Sequence, residues 1–178
     1  SLSALTDGDQ NTMIGARAGL VLTDGHYNTF IGDYAGAAST SPDNCVFIGQ
    51  NAVGDGNATQ TGTVAIGKQA LNALTSGLGN IAIGYQAMDA VTTGAHNIAI
   101  GYAALDSALA GDDSNIGIGT NALGGTHEQN ASNNNVAIGG DAMAGPMNDC
   151  DNNVAIGFTA MQVASEGTQN VVIGSGAG

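Results

Sequence analysis

Three pairs of carboxylates stand out as groups whose type and spacing can do chemistry: Asp7 with Asp9, Asp112 with Asp113, and Asp149 with Asp151. Two carboxyls close together can divide acid and base roles, as in glycan cleavage. The same oxygens can ligate Ca²⁺, a hard cation that takes several oxygen ligands. The surrounding sequence supports neither use strongly. It has neither the EF-hand spacing nor the nonapeptide Ca²⁺ repeat. Each pair therefore reads first as solvated turn residues, with Ca²⁺ the only cofactor to consider and none expected.

The other reactive side chains are scattered. His26, His96 and His127 each fall in a loop, with no HExxH and no serine in a nucleophile elbow. The string GLGNIAIG contains glycines in a dinucleotide-like arrangement, but it lacks the helix that would carry a pyrophosphate. Cys45 and Cys150 do not have metal-ligand spacing. Two sequons, at Asn57 and Asn130, matter only in a glycosylating host. No enzymatic activity is expected. The residues best suited to touching something are aromatic: Tyr34, Tyr85, Tyr102 and Phe158, whose flat faces suit sugar rings or protein surfaces.

What positions these residues is a repeat. NIAIGYQAM, beginning at Asn80, returns as NIAIGYAAL, beginning at Asn97. Aligned on the second isoleucine, the unit occurs ten times, at Ile14, Ile31, Ile48, Ile66, Ile83, Ile100, Ile118, Ile138, Ile156 and Ile173, in steps of 17, 18 or 20 residues. Glycine follows every one of these isoleucines, and alanine stands four positions after each, from Ala18 to Ala177. Repetition at this period predicts a solenoid.

Two positions before each isoleucine stands another β-branched residue, Thr12 and Thr29 first and then valine or isoleucine. β-branched residues at alternate positions specify a strand. The residue between them is also apolar but mostly small: Met13, Phe30 and Phe47, then chiefly Ala. A strand apolar on both faces must be covered on both sides. One face can fill the inside of a coil, and the other calls for a partner, most simply neighbouring chains. A helix over segments such as GYQAMDAV would have only about two turns, too few to persist alone.

Asparagine recurs three positions before the isoleucine, replaced by Cys45 and Thr63 in two units. Stacked coils would align these amides into a hydrogen-bonded ladder, although turn residues tolerant of unusual φ give the same pattern. Two positions after the isoleucine the residue is freely varied, from Asp33 to Lys68 to Tyr85, which marks an exposed row. At about 4.8 Å per coil, Cys45 and Cys150 lie roughly 29 Å apart, too far for a disulfide.

Composition agrees with a thin, tightly turning chain. There are 29 glycines, no Trp, three Phe and four Tyr in 178 residues. Fifteen carboxylates face only Arg17 and Lys68, for a net charge of −13. Phosphate binding needs basic clusters, so nucleic acid is an unsuitable partner, as is an anionic membrane surface. No run of 18 apolar residues exists to insert into a bilayer.

The lines NTMIGARAG, NTFIGDYAG, NIAIGYQAM, NIAIGYAAL and NVAIGFTAM resemble the NSVAIG-type repeats of the YadA-like head of trimeric autotransporter adhesins, and the NTAIGYQAL lines of phage tail fibres. The resemblance runs through residues 1–178, which it implies to be a single all-β domain, a left-handed parallel β-roll of ten coils of 17–20 residues. It further implies a homotrimer, located outside the cell on a virion fibre or a bacterial surface. The adhesin repeat is shorter, about fourteen residues, and no anchor, stalk or chaperone segment is visible here. The expected function is host attachment through a surface glycan or protein, by a stiff trimer with many weak contacts. The alternatives are a fibre-borne glycan-degrading enzyme and an ice-binding solenoid, the latter calling for a flat face commonly of Thr.

Overall fold

The computed structural model describes residues 4–57, 59, 61–107, 111–125, 131–163 and 167–178. It is a parallel β-solenoid with no helix among the described residues. Each coil contributes one three-residue strand: β1 (Thr12–Ile14), β2 (Thr29–Ile31), β3 (Val46–Ile48), β4 (Val64–Ile66), β5 (Ile81–Ile83), β6 (Ile98–Ile100), β7 (Ile116–Ile118), β8 (Val136–Ile138), β9 (Val154–Ile156) and β10 (Val171–Ile173). The ten strands form one sheet in chain order, and isoleucine pairs with isoleucine at every step. That register follows from the repeat: a slip of one residue would turn every side chain to the wrong face.

The residue between the two β-branched positions points inward. Phe30, Phe47, Ala65, Ala82, Ala99, Ala137 and Ala155 are fully buried. They meet the invariant alanines, such as Ala87 and Ala104, and the residues one position further on, such as Leu71, Met88 and Leu105. Two large side chains would not fit across so thin a coil. The first coils put the bulk on the strand, with glycine opposite at Gly19 and Gly36. From the fourth coil to the ninth, the strand residue shrinks to Ala or, at Gly117, to Gly, and Leu or Met fills the space from the turn. Phe30 and Phe47 stack at 4.5 Å between ring centroids.

Turning a chain this tightly uses left-handed backbone at three places per coil: four before, three after and five after the isoleucine. Leu71, Met88 and Leu105 sit there at φ of 51°, 55° and 53°. Such a conformation costs an ordinary residue about 1–2 kcal/mol. Burying a Leu or Met side chain contributes about 1.5–3 kcal/mol, so burial outweighs the strain. Directly after the isoleucine the constraint is stricter. Gly84 has φ 143°, and a Cβ there would lie 2.2 Å from the carbonyl oxygen of Gly101 in the next coil. Only glycine meets both demands.

The asparagine ladder is formed, though its amides bond chiefly to backbone. Asn97 Oδ1 accepts from the backbone N–H of Asn115 at 2.8 Å, and Asn97 Nδ2 donates to the carbonyl of Asp112 at 2.7 Å. Asn28, Asn80, Asn115, Asn135 and Asn153 repeat both bonds. Cys45 and Thr63 interrupt the series, and the buried Thr63 hydroxyl has no hydrogen-bond partner. The two cysteines are buried thiols outside any disulfide. Burial pushes the Cys45 thiol up to about 11, against the opposing effect of the Thr63 and Gly62 backbone amides.

Candidate functional site

Asp7, Asp9, Asp113 and Asp149 are exposed, as solvated turn residues are, whereas Asp112 is buried and Asp151 half-buried, which corrects that reading for these two. Asp112 is buried, and its Oδ1 accepts from the Ser132 N–H of the following coil at 2.7 Å. Asp113 Oδ1 accepts from the Ala95 N–H of the preceding coil at 2.7 Å. The two carboxylates therefore diverge along the rod and cannot close on one substrate atom. Asp151 likewise accepts from the Asn133 N–H at 2.7 Å, and Asp43 from the His26 N–H at 2.8 Å. These residues stand five positions before the isoleucine, where a second polar ladder runs through Asp43, Asp113, Asn133 and Asp151. Its sequence signal was an Asp or Asn at a fixed offset, diluted by Thr61, Leu78 and Ala95 in the same row.

Asp9 is engaged differently. Its Oδ1 lies 2.9 Å from His26 Nδ1 on the exposed surface, and this contact raises the His26 pKa above its usual value. His96 is exposed in another coil, and His127 lies outside the described residues, as does Asn130 of the second sequon. Asn57 of the first sequon accepts from the Thr40 N–H and hydroxyl. Among the described residues, no group of three or more His, Cys, Asp or Glu is placed to hold a metal ion. No helix among them is long and apolar enough to cross a membrane.

Two exposed features have the regularity of a functional surface. The first is the outward side of the sheet. It carries two parallel columns, one of the ten isoleucines and one of the β-branched residues two positions before them. All are exposed or half-buried, and Ile14, Ile100, Ile138, Ile156 and Ile173 are among the exposed large hydrophobics. The columns are flanked by the rows four positions before and two positions after the isoleucine. Across these four rows the only charged residues are Asp33 and Lys68, in a chain of net charge −13. The acidity lies elsewhere on the rod.

The second feature is the row two positions after the isoleucine. Glycine turns the chain at the sheet edge, and the next side chain stands out. Tyr85 and Tyr102 stack on one another from adjacent coils at 5.6 Å between centroids, with Lys68 6.0 Å from the Tyr85 ring. Phe158 is 60% exposed three coils further on. Tyr34 belongs to the neighbouring row, half-buried under the Arg17 guanidinium at 4.4 Å. The four aromatics thus do not make one platform. Tyr85 and Tyr102 form a pair, while Tyr34 and Phe158 stand alone toward the two ends.

No protein-family model matches the chain, and neither a curated protein nor a solved structure matches it at a significant level.

Proposed function

We propose that this chain is a structural attachment module of a virion tail fibre or cell-surface adhesin, working outside the cell. It assembles as a homotrimeric rod and holds a host-surface glycan or protein by many weak contacts. The observation that carries this reading is the distribution of charge against apolar surface. Rods of net charge −13 repel one another on every side but one. That side is lined by two uncharged columns of β-branched side chains along the whole length of the sheet, and its flanking rows carry one charge of each sign, Asp33 and Lys68. A continuous apolar patch of this size belongs at an interface rather than in water. Copies of the same chain fit it in shape and period, because each rod offers the same rise per coil.

Assembly leaves the polar edges and loops outward for contact, and three copies of each multiply the effective affinity. The hydrogen bonds that engage the paired carboxylates support a non-enzymatic reading. An ice-binding face would more commonly offer hydroxyls, and Thr stands in the outward columns only at Thr12 and Thr29. Light scattering coupled to size exclusion tests the assembly. The expected particle has three times the 17.4 kDa chain mass at micromolar concentration, and a single-chain mass contradicts it. Retention of the particle on whole host cells tests attachment.

A further inference from the structure

We propose that coils six to nine carry a shallow slot for a neutral sugar ring, walled on one side by Tyr102 and on the other by Phe158, whose ring leans over Gly140, and floored by Thr120. The proposal rests on the attachment reading above and names its ligand class. Tyr85 covers one face of Tyr102 by stacking at 5.6 Å, which leaves the other face turned toward coil seven. There the row drops to Thr120 and then to Gly140, which has no side chain. Phe158 leans over that gap: a Cβ built on Gly140 would lie 3.4 Å and 3.7 Å from its Cδ2 and Cε2 atoms. Tyr102 and Phe158 are three coils apart, roughly 14 Å along the rod at about 4.8 Å per coil. The lean of Phe158 toward Gly140 shortens that span by bringing its ring to the level of the eighth coil.

The polar lining matches hydroxyls. In the residues next along the chain, Asn121 Nδ2 donates to Asp141 Oδ1 at 2.8 Å, which sets an amide and a carboxylate side by side beside the exposed Thr120. Planar amide and carboxylate groups recognise neighbouring hydroxyls, while aromatic faces cover the C–H face of the ring. The frame is rigid before any ligand arrives. Asn121, Asp141 and Thr159 each donate a backbone N–H to the preceding coil, at 2.8, 2.9 and 2.9 Å. A preorganised site loses little ordering entropy on binding. Asp141 brings a negative charge to the slot, in a chain already at −13, so sulfated and sialylated sugars are disfavoured.

Saturation-transfer NMR on the intact protein tests this, with cellohexaose, mannohexaose and galactotetraose as neutral probes beside a heparin hexasaccharide and sialyllactose. The expected result is transfer to at least one neutral probe. It should fall at least fivefold in Phe158→Ala, which removes a wall, and in Gly140→Leu, whose side chain meets the Phe158 ring and displaces that wall. Gly140 has ordinary backbone, so the second substitution adds no strain. Particle mass is measured on the same samples. Transfer that persists in a single-chain particle still supports the slot while refuting the trimer. No transfer to any neutral probe, equal transfer in both variants, or transfer confined to the charged probes overturns the slot and leaves the trimer standing.

Discussion

The side chain of Asn115 holds the seventh coil to the eighth at two points: its Oδ1 accepts from the Asn135 backbone N–H at 2.9 Å, and its Nδ2 donates to the Ser132 carbonyl at 2.7 Å. Both asparagines are buried. Asn115→Ala would remove these two bonds and a third, longer one from Asn135 Nδ2 to Asn115 Oδ1 at 3.2 Å, and would strand a backbone donor and a backbone acceptor inside the rod. A buried group left unpaired costs about 1–3 kcal/mol, so the expected loss is about 2–5 kcal/mol in denaturant unfolding. A loss under half a kilocalorie would reduce the ladder to turn chemistry. Thr63→Asn is the reverse experiment. It places an amide where the ladder is broken, within reach of the Asn80 N–H by the repeat, and replaces an unpartnered hydroxyl. It should raise stability by about 1 kcal/mol.

The glycine after the isoleucine makes a sharper prediction. Gly84→Ala puts a methyl 2.2 Å from the Gly101 carbonyl oxygen at φ 143°, and the variant should fail to form a soluble rod. Gly62→Ala is the comparison. Its φ is 73°, but nothing lies within 4 Å of the added carbon, so only the backbone cost of about 1–2 kcal/mol applies. Soluble expression with a cooperative far-UV melt separates the two. Equal behaviour would refute close coil contact as the reason for this glycine.

These contrasts show what the sequence made legible. The solenoid, its parallel register and the exposed varied row follow from ten aligned isoleucines, because a repeat spaced at one coil must stack like on like. The choice of inner face does not follow from pattern alone. Ile-x-Ile with Ala between is apolar on both sides, and only the tight turn, too narrow for two columns of isoleucine, sends alanine inward. The stacking of Tyr85 on Tyr102 was readable because both hold the same place in adjacent coils. The slot between Tyr102 and Phe158 was not, since it depends on how the Phe158 ring leans over Gly140. Asp112 misled for a related reason: its neighbour Asp113 is exposed, but Asp112 is buried against the Ser132 N–H of the next coil, which adjacency in sequence does not show.

Outward isoleucines that meet another chain should not tolerate charge. Ile83→Glu with Ile100→Glu keeps every backbone bond of β5 and β6 but places two carboxylates on the uncharged face. The expected particle has the 17.4 kDa mass of one chain. Ser76→Glu with Thr93→Glu adds the same charge at exposed positions away from that face and should keep the larger mass. If both variants sediment alike, the outward columns are not the contact.

Two aspartates make stability depend on pH. Burial raises the Asp89 pKa above 3.8, helped by the charges of Asp106 and Asp55 and opposed by the Gln86 hydrogen bond. Burial also raises Asp106, opposed by the Ser107 hydroxyl. A raised carboxylate pKa means that the folded chain favours the protonated form. Its stabilising contribution is full below the unfolded value of 3.8 and is lost as pH rises through the folded value. Asp89→Asn with Asp106→Asn should therefore raise Tm at pH 7 and lose that advantage as pH falls toward 3.8. Both groups are partly solvated, which limits the gain to about 2–4 °C. A larger gain at low pH than at neutral pH would reverse the assigned sign.

The exchange of bulk across the core can be tested by moving one coil's solution into another. A Cβ on Gly36 would lie 2.5 Å from Phe30 Cε2 and 3.0 Å from Phe47 Cδ2, so Gly36→Leu alone collides with two buried rings and should be severely destabilising. Phe30→Ala with Phe47→Ala empties the same space and should cost about 3–5 kcal/mol per ring. The combination of all three reproduces the later coils, where Ala82 on the strand faces Met88 in left-handed backbone at φ 55°. There the leucine fills the cavity instead of colliding, and its effect should change sign to a gain of at least 1 kcal/mol. Residues sharing one cavity couple by about 0.5–3 kcal/mol, which a double-mutant cycle resolves. Additive losses would mean that strand and turn residues fill separate spaces, and that the alternation of large and small along the rod has no packing origin.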